Sequence, residues 1–246
     1  MNGIGSSRKT YKHIEMKQQL RSLLLLSVIL FPACDKTENE AWLTDVFLSP
    51  VEDREVKGAD YAAVDLGLSV KWADCNVGAL KSWKDSRYFA WGETAEKSSY
   101  TWVNYQYINA GNSSLSKYNS TDGLWILQSK DDPATSEMGA GWRLPTADEM
   151  VELLDNCDWS ISSKSGTKII TATSKKNGAS IVFQLTGYKD GKTLEDMEVD
   201  GYLWSSELTE DESSQAYFLH LNTRDNKVSI GAADRRFGLC VRGVRK

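Results

Sequence analysis

Histidine is almost missing from this 246-residue chain, which has only His13 near its start and His220 far along it. With one near the start and the other in an apolar stretch, neither a His-rich metal site nor a Ser-His-Asp triad is expected. His220 sits in an apolar stretch and reads as a strand residue, not a base. Clustered basic charge is also lacking: 29 Lys and Arg are interspersed with 34 Asp and Glu for a formal net charge of -5. Nothing in that pattern would neutralise a phosphate backbone, so nucleic acid is not an expected partner. No apolar run reaches the about 20 residues of a membrane-spanning helix. No interval looks like a second apolar core, so one domain with a short appendage is expected. What the chain does have is aromatic surface, with nine Trp and ten Tyr beside only four Pro. That composition describes a folded protein with flat side chains for packing or stacking.

The longest apolar run, Leu23 to Phe31, follows Lys17 and Arg21 and is followed at once by Pro32 and the polar stretch Asp35 to Glu40. From Met16 this reads as a signal peptide. Phe31-Pro32-Ala33-Cys34 resembles the bacterial lipobox, in which the Cys is acylated and becomes the mature N-terminus. The expected organisation is a leader extension over 1–15, a lipoprotein signal peptide over 16–33, a tether over 34–58 beginning at the lipidated Cys34, and a domain over 59–246. The acidic residues after Cys34 resemble the export signals of Bacteroidetes surface lipoproteins. Localisation at the outer membrane, anchored in its lipid and facing outward, is the expectation. The remaining Cys75, Cys157 and Cys240 leave two readings open: one bridged pair with a buried third, or three small buried hydrophobes.

Within the domain, Ala62 to Val77 alternates apolar and polar residues around Gly67, which predicts a half-buried hairpin. Gly78 to Ala140 is aromatic and turn-rich with poor periodicity, and reads as long packed loops. Thr146-Ala147-Asp148-Glu149 is a capping box, and Met150, Leu153, Leu154 and Cys157 recur on one helical face after it. Short strands are predicted at 167–173 and 180–185 around Asn177-Gly178, then, after a turn at Asp190-Gly191, at 202–205, 216–221, 228–230 and 239–244. The class is α+β, with short antiparallel strands, one or two helices and long loops.

Five ordered blocks carry a resemblance: Val64 to Ala79, Phe89 to Thr94, Gly141 to Thr146, Gly201 to Ser206 and Val241 to Val244. Together they resemble the Fibrobacter succinogenes major paralogous domain family and span nearly all of 61–246. The resemblance implies a C-type-lectin-like fold, akin to formylglycine-generating enzymes and retroelement-diversified lectins, whose two chain ends pair as strands. Members typically close with Ser-Val-Arg-Pro-Val, whereas this chain has Cys240 and Gly243 in that block. Ligand contacts in the diversified lectins follow the Trp-Ser-Ser block. By that resemblance, Glu207, Tyr217, Asn222, Arg224, Asn226 and Arg235 are the candidate ligand-binding residues, a mix of stacking, amide and guanidinium groups.

An oxidase like the formylglycine-generating enzymes would need a close Cys pair late in the fold, and Cys240 has no near neighbour of its kind. The calcium-binding tripeptides of true C-type lectins do not occur, and Glu207, Glu210, Asp211 and Glu212 read as a solvated loop face. The expectation is a non-catalytic surface module, without cofactor or metal, that binds a glycan or protein ligand. The alternative is a structural or fimbrial-tip-like envelope component, which would self-associate or co-purify with pilus-like proteins.

Overall fold

The computed structural model describes residues 61–246 apart from 80–82, 110, 112–113, 165, 211 and 226. The leader, signal peptide, Cys34 and tether lie outside the described residues, as do Asp211 and Asn226.

The opening hairpin forms as its alternation predicts, with β1 (Ala63–Val64) antiparallel to β2 (Lys71–Ala73). After β3 (Tyr88–Phe89) the chain is mostly irregular, with three-residue 3-10 turns at Trp102–Asn104 and Ser129–Asp131. The aperiodic stretch also holds a short helix, α1 (Pro133–Met138), started by Asp132, whose Oδ1 accepts from Ala134 N at 2.8 Å and Thr135 N at 3.1 Å.

Helix α2 (Ala147–Asn156) begins where the capping box places it. Thr146 Oγ1 accepts from Glu149 N at 3.1 Å, and Glu149 Oε2 accepts from Thr146 N at 2.9 Å. Arg143 donates to both oxygens of Glu149, at 2.8 and 2.6 Å, which fixes the entry angle of the chain. Met150 and Leu153 are fully buried. Cys157 departs from the expectation, because it turns extended and opens β4 (Cys157–Lys164). The fourth position of a helical stripe and the first inward residue of a following strand both face the core, so burial alone did not separate them.

β4 pairs with β5 (Thr167–Ser174), and β5 with β6 (Ser180–Gln184) across Asn177-Gly178, where Gly178 takes φ 75°. β7 (Tyr188–Asp190) and β8 (Thr193–Glu195) turn at Gly191, with φ 55°. β9 (Asp200–Leu208) and β11 (Lys227–Asp234) extend well beyond their predicted cores, and β10 (Gln215–Asn222) exceeds its own by one residue at each end. The strand expected at 239–244 is two strands in two sheets. β12 (Leu239–Cys240) lies between β9 and β3 in the sheet β11-β10-β9-β12-β3, and β13 (Val244–Arg245) pairs with β2 in the sheet β1-β2-β13. Only the β12–β9 contact in these sheets is parallel. The described residues are thus mainly antiparallel β-structure with two α-helices.

Trp72, Trp91 and Trp204 lie at the centre, each at most 1% exposed. Trp91 Nε1 donates to Ser205 O at 2.9 Å and Trp204 Nε1 to Phe89 O at 2.8 Å, so two indoles bridge β3 and β9 while filling the core.

Gly187 has φ 62°, and a Cβ there would stand 2.0 Å from Glu195 O and 2.8 Å from Met197 N. Gly187→Ala therefore meets backbone on both counts. A loss of well over about 1 kcal/mol is expected, read as a fall of several degrees in the thermal midpoint.

The folded state also holds carboxylates at lowered pKa. Burial pushes the Asp131 carboxyl up, but hydrogen bonds from Lys117, from Tyr118 Oη at 2.5 Å and from Tyr107 more than reverse it. Burial likewise raises Glu149, and Arg143 and Thr146 bring it below its ordinary value. A carboxyl lowered on folding contributes stability above its unfolded pKa of about 4, and that contribution is lost as pH falls through the folded value. The urea midpoint should drop from pH 7 to pH 3, and drop less in Asp131→Asn.

Candidate functional site

Alternation along β9 and β10 decides which side chains meet. Register pairs Trp204 with Phe218, Tyr202 with His220 and Asp200 with Asn222, so these six share one face. Leu203, Leu219 and Leu221 occupy the other face and are fully buried. On the first face the rings form a continuous aromatic row. Phe237 and Tyr188 are 5.6 Å apart, Tyr188 and Tyr202 5.0 Å apart, and Tyr202 and His220 stack at 4.7 Å with 15° between planes. Tyr188, Tyr202, His220 and Phe237 are half-buried, so the row is reachable from solvent.

At the end of this row, where the β8–β9 and β10–β11 turns lie side by side, polar groups converge. Tyr202 Oη approaches Asp196 Oδ2 at 2.9 Å and Asp200 Oδ2 at 3.4 Å. A phenol has one proton, so it satisfies one of the two carboxylates at a time. His220 Nε2 lies 3.4 Å from the same Asp200 oxygen, and Thr223 N donates to Asp200 Oδ1 at 3.2 Å. Arg224 Nη2 donates to Asp196 Oδ1 at 2.8 Å, with 61% of its side chain exposed. Burial foremost, then hydrogen bonding to Asp196 and the charges of Asp196 and Asp200, drives the Tyr202 phenol far above its ordinary pKa. It stays a donor at any physiological pH.

Two turns hold this arrangement. Asn222 Oδ1 accepts from Arg224 N at 2.8 Å and Asp225 N at 3.0 Å, while its Nδ2 donates to Asp225 Oδ2 at 3.1 Å. This Asx turn makes Asn222 the residue that positions Arg224. Across from it, Asp196 and Glu198 take φ 52° and 62°, conformations that side-chain-bearing residues seldom adopt.

The expected ligand residues separate into three places. Asn222 and Arg224 belong to the turn end just described. Glu207 and Tyr217 lie toward the opposite end of the sheet; Tyr217 is five residue steps along β10 from Asn222, about 17 Å of strand. There Glu207 Oε2 accepts from Ala147 N at 3.0 Å, placing an acid at the first turn of α2, a helix-capping role. Trp125 and Ile126, which run beside β9 at this end, are 37% and 52% exposed. Arg235 is a correction: it is 0% exposed and faces no ligand. Its Nε donates to Tyr105 Oη at 2.5 Å, Nη1 to Tyr118 O at 2.8 Å and Ser213 O at 3.0 Å, and Nη2 to Lys117 O at 3.0 Å. Trp91, Tyr105, Tyr107 and Tyr118 surround it, ring centroids 5.0 to 5.8 Å from Cζ. A guanidinium in a loop after Trp-Ser-Ser reads the same whether it faces water or an aromatic cage.

Asp196, Asp200, Tyr202 and His220 escaped the sequence reading. The period-2 spacing of Asp200-x-Tyr202 and Phe218-x-His220 was the available signal, but it names a face only once the strand register is known. All three described cysteines are free thiols, with Cys157 and Cys240 buried and Cys75 half-buried. Burial raises them to about 12 for Cys75, about 11 for Cys157 and about 12 for Cys240, so each is a protonated thiol at neutral pH.

Arg235→Met should cost at least about 2 kcal/mol, since four hydrogen bonds from a charged group are lost and one buried and two part-buried carbonyls are left without those donors. Arg224→Ala, at the exposed turn, should leave the melting temperature within about a degree, because exposed ion pairs contribute little. Equal effects of the two substitutions in a thermal melt would contradict the assignment. Comparison of the chain with protein-family models, with curated proteins and with solved structures found no match to any of them.

Proposed function

We propose that this protein is a surface lipoprotein whose domain, over 59–246, is a C-type-lectin-like binding module. It recognises a glycan or protein ligand through the turn end of the β9–β11 sheet. The observation that carries this reading is the convergence of Asp196, Asp200, Tyr202, His220 and Arg224 beside a solvent-reachable aromatic row. Carboxylate acceptors, a guanidinium donor and ring surface within one patch can read hydroxyls, amides or charged groups while excluding water from part of the contact.

The lectin-like reading draws support from the chain ends, since β13 near the C-terminus pairs with β2 near the start of the described residues. The long irregular stretch between β3 and α2, packed by its own aromatic rings, fits that architecture as well. In the same proposal, acyl chains on Cys34 hold the module at the outer membrane and the segment to residue 58 lifts it away.

Arrays of glycans and of envelope or host proteins, probed with the purified full-length protein, test the binding role. Asp196→Asn together with Tyr202→Phe should weaken any captured interaction by about tenfold, the order expected from losing charge-assisted hydrogen bonds. Tyr217→Ala, at the other end of the sheet, should leave it unchanged. The opposite pattern would move the site to the Glu207 end. Palmitate labelling of cells, lost in Cys34→Ser, tests the anchor.

A further inference from the structure

One side chain at the turn end can change its charge within the ordinary range of environmental pH. Of the side-chain types gathered there, only imidazole ordinarily titrates between pH 5 and 8. His220 carries it, at the centre of the polar cluster. Its ring stacks on Tyr202 at 4.7 Å with 15° between planes, and its Nε2 lies 3.4 Å from Asp200 Oδ2. The His220 side chain is 22% exposed and that of Asp200 3%, so protons reach the ring while the carboxylate stays out of water.

Charged and titratable groups meet this ring from every element around it. Asp200 and Tyr202 come from β9, and Asp196 from the β8–β9 turn, where Glu195 and Glu198 are exposed. Arg224 and Asp225 come from the β10–β11 turn, and Lys227 shares the face on β11, where Ser229 is the partner of His220 in register. Arg224 is bonded to Asp196, whereas no Lys or Arg among the described residues forms an ion pair with Asp200. Its Oδ2 is instead contested: Tyr202 Oη stands 3.4 Å away but only 2.9 Å from Asp196 Oδ2, and a phenol has one proton to give.

Resting on the proposed binding role of this face, we infer that His220 is a pH switch that sets the charge the face presents. A neutral imidazole has one N–H to place on Nδ1 or Nε2, whereas an imidazolium has both. On taking a proton from solvent, His220 therefore always offers a donor at Nε2 to Asp200 Oδ2. The Tyr202 hydroxyl is released from sharing and stays with Asp196 Oδ2. The charged ring is also held by the Tyr202 ring on which it stacks, since aromatic faces attract cations. Asp196, Asp200 and Arg224 leave a single negative charge beside a neutral ring and none beside a charged one. At low pH the face thus loses the negative potential that attracts ligand cations and donors, and at high pH regains it. At the surface location proposed above, the medium sets that pH.

The proton itself is the probe. The purified full-length protein, titrated from pH 8 to pH 5 and followed by NMR, has only two histidine rings to resolve, and that of His220 is identified by its loss in His220→Asn. The Thr223 amide, which donates to Asp200 Oδ1, and the Arg224 guanidinium, which donates to Asp196 Oδ1, should shift along the His220 curve. Both should lose that curve in His220→Asn. Tyr202→Phe removes the hydroxyl that links the two carboxylates, and should leave the Thr223 response while weakening that of Arg224. Asp200→Asn should lower the His220 midpoint by about half a pH unit or more, because the imidazolium loses its carboxylate partner. A Thr223 amide that ignores the His220 curve, or that follows the same curve in His220→Asn, overturns the switch. A protein that gives these curves yet captures nothing on the arrays keeps the switch and loses only the binding role. A captured ligand beside a silent Thr223 amide does the reverse.

Discussion

A single buried guanidinium organises the least regular part of this protein. Arg235, just past the end of β11, reaches the backbone of Lys117, Tyr118 and Ser213 and the hydroxyl of Tyr105, and sits among four aromatic rings. Burying a cation without compensation costs far more than one side chain can return. Here carbonyl dipoles and ring quadrupoles supply the compensation. Among the described residues between 105 and 118, Ile108 bridges to Leu115, while Tyr105 at one end and Lys117 and Tyr118 at the other are all tied to this cation. Tyr118 takes φ 58° in the loop that turns its carbonyl toward Nη1, and Asp122 Oδ2 accepts the Tyr118 amide at 2.7 Å to hold that turn.

Arg242 does similar work seven residues later, on the stretch between β12 and β13. Its Nε donates to Asn76 Oδ1 at 2.9 Å and Nη1 to Val182 O at 2.9 Å, with Cζ 4.3 Å from the Phe183 ring centroid. It links the opening segment to β6. Full burial pushes its pKa down to about 10, still well above neutrality, so the link keeps its charge. Arg235 and Arg242 thus tie the loops and the β4–β6 sheet to the strands that carry them. The turn end of β9–β11 lies apart from both ties, and its polar groups hold only their own two turns.

The sequence was most readable where one local rule suffices. Thr146 and Glu149 announce the start of α2 through a pairing that needs no tertiary context, and Gly178 and Gly191 mark turns that demand φ above zero. Readability fell where two rules coincide, as at Cys157, and where the partner is remote. Tyr105 and Arg235 stand 130 residues apart, and no spacing rule links them. The candidate site was half legible. Asn222 and Arg224 sit in a turn whose composition advertises polar contacts, whereas Asp200, Tyr202 and His220 combine only through strand register, and Asp196 only through a turn with left-handed residues.

Asp200 explains why this end of the sheet is better suited to recognition than to stability. Its carboxylate is buried, yet among the described residues its hydrogen-bond contacts are long: 3.2 Å to Thr223 N and 3.4 Å to both Tyr202 Oη and His220 Nε2. Short charge-assisted bonds run about 2.7 to 2.9 Å, and none of these three reaches that length. An apolar residue or an amide would pack here at lower desolvation cost. What the carboxylate supplies instead is a fixed negative potential behind Asp196, in a region of low dielectric where it is weakly screened. Because β9 and β10 are paired along their length and the Asx turn at Asn222 is closed by three hydrogen bonds, that potential points in one direction before any ligand arrives. A preformed field of this kind lowers the reorganisation that binding would otherwise require.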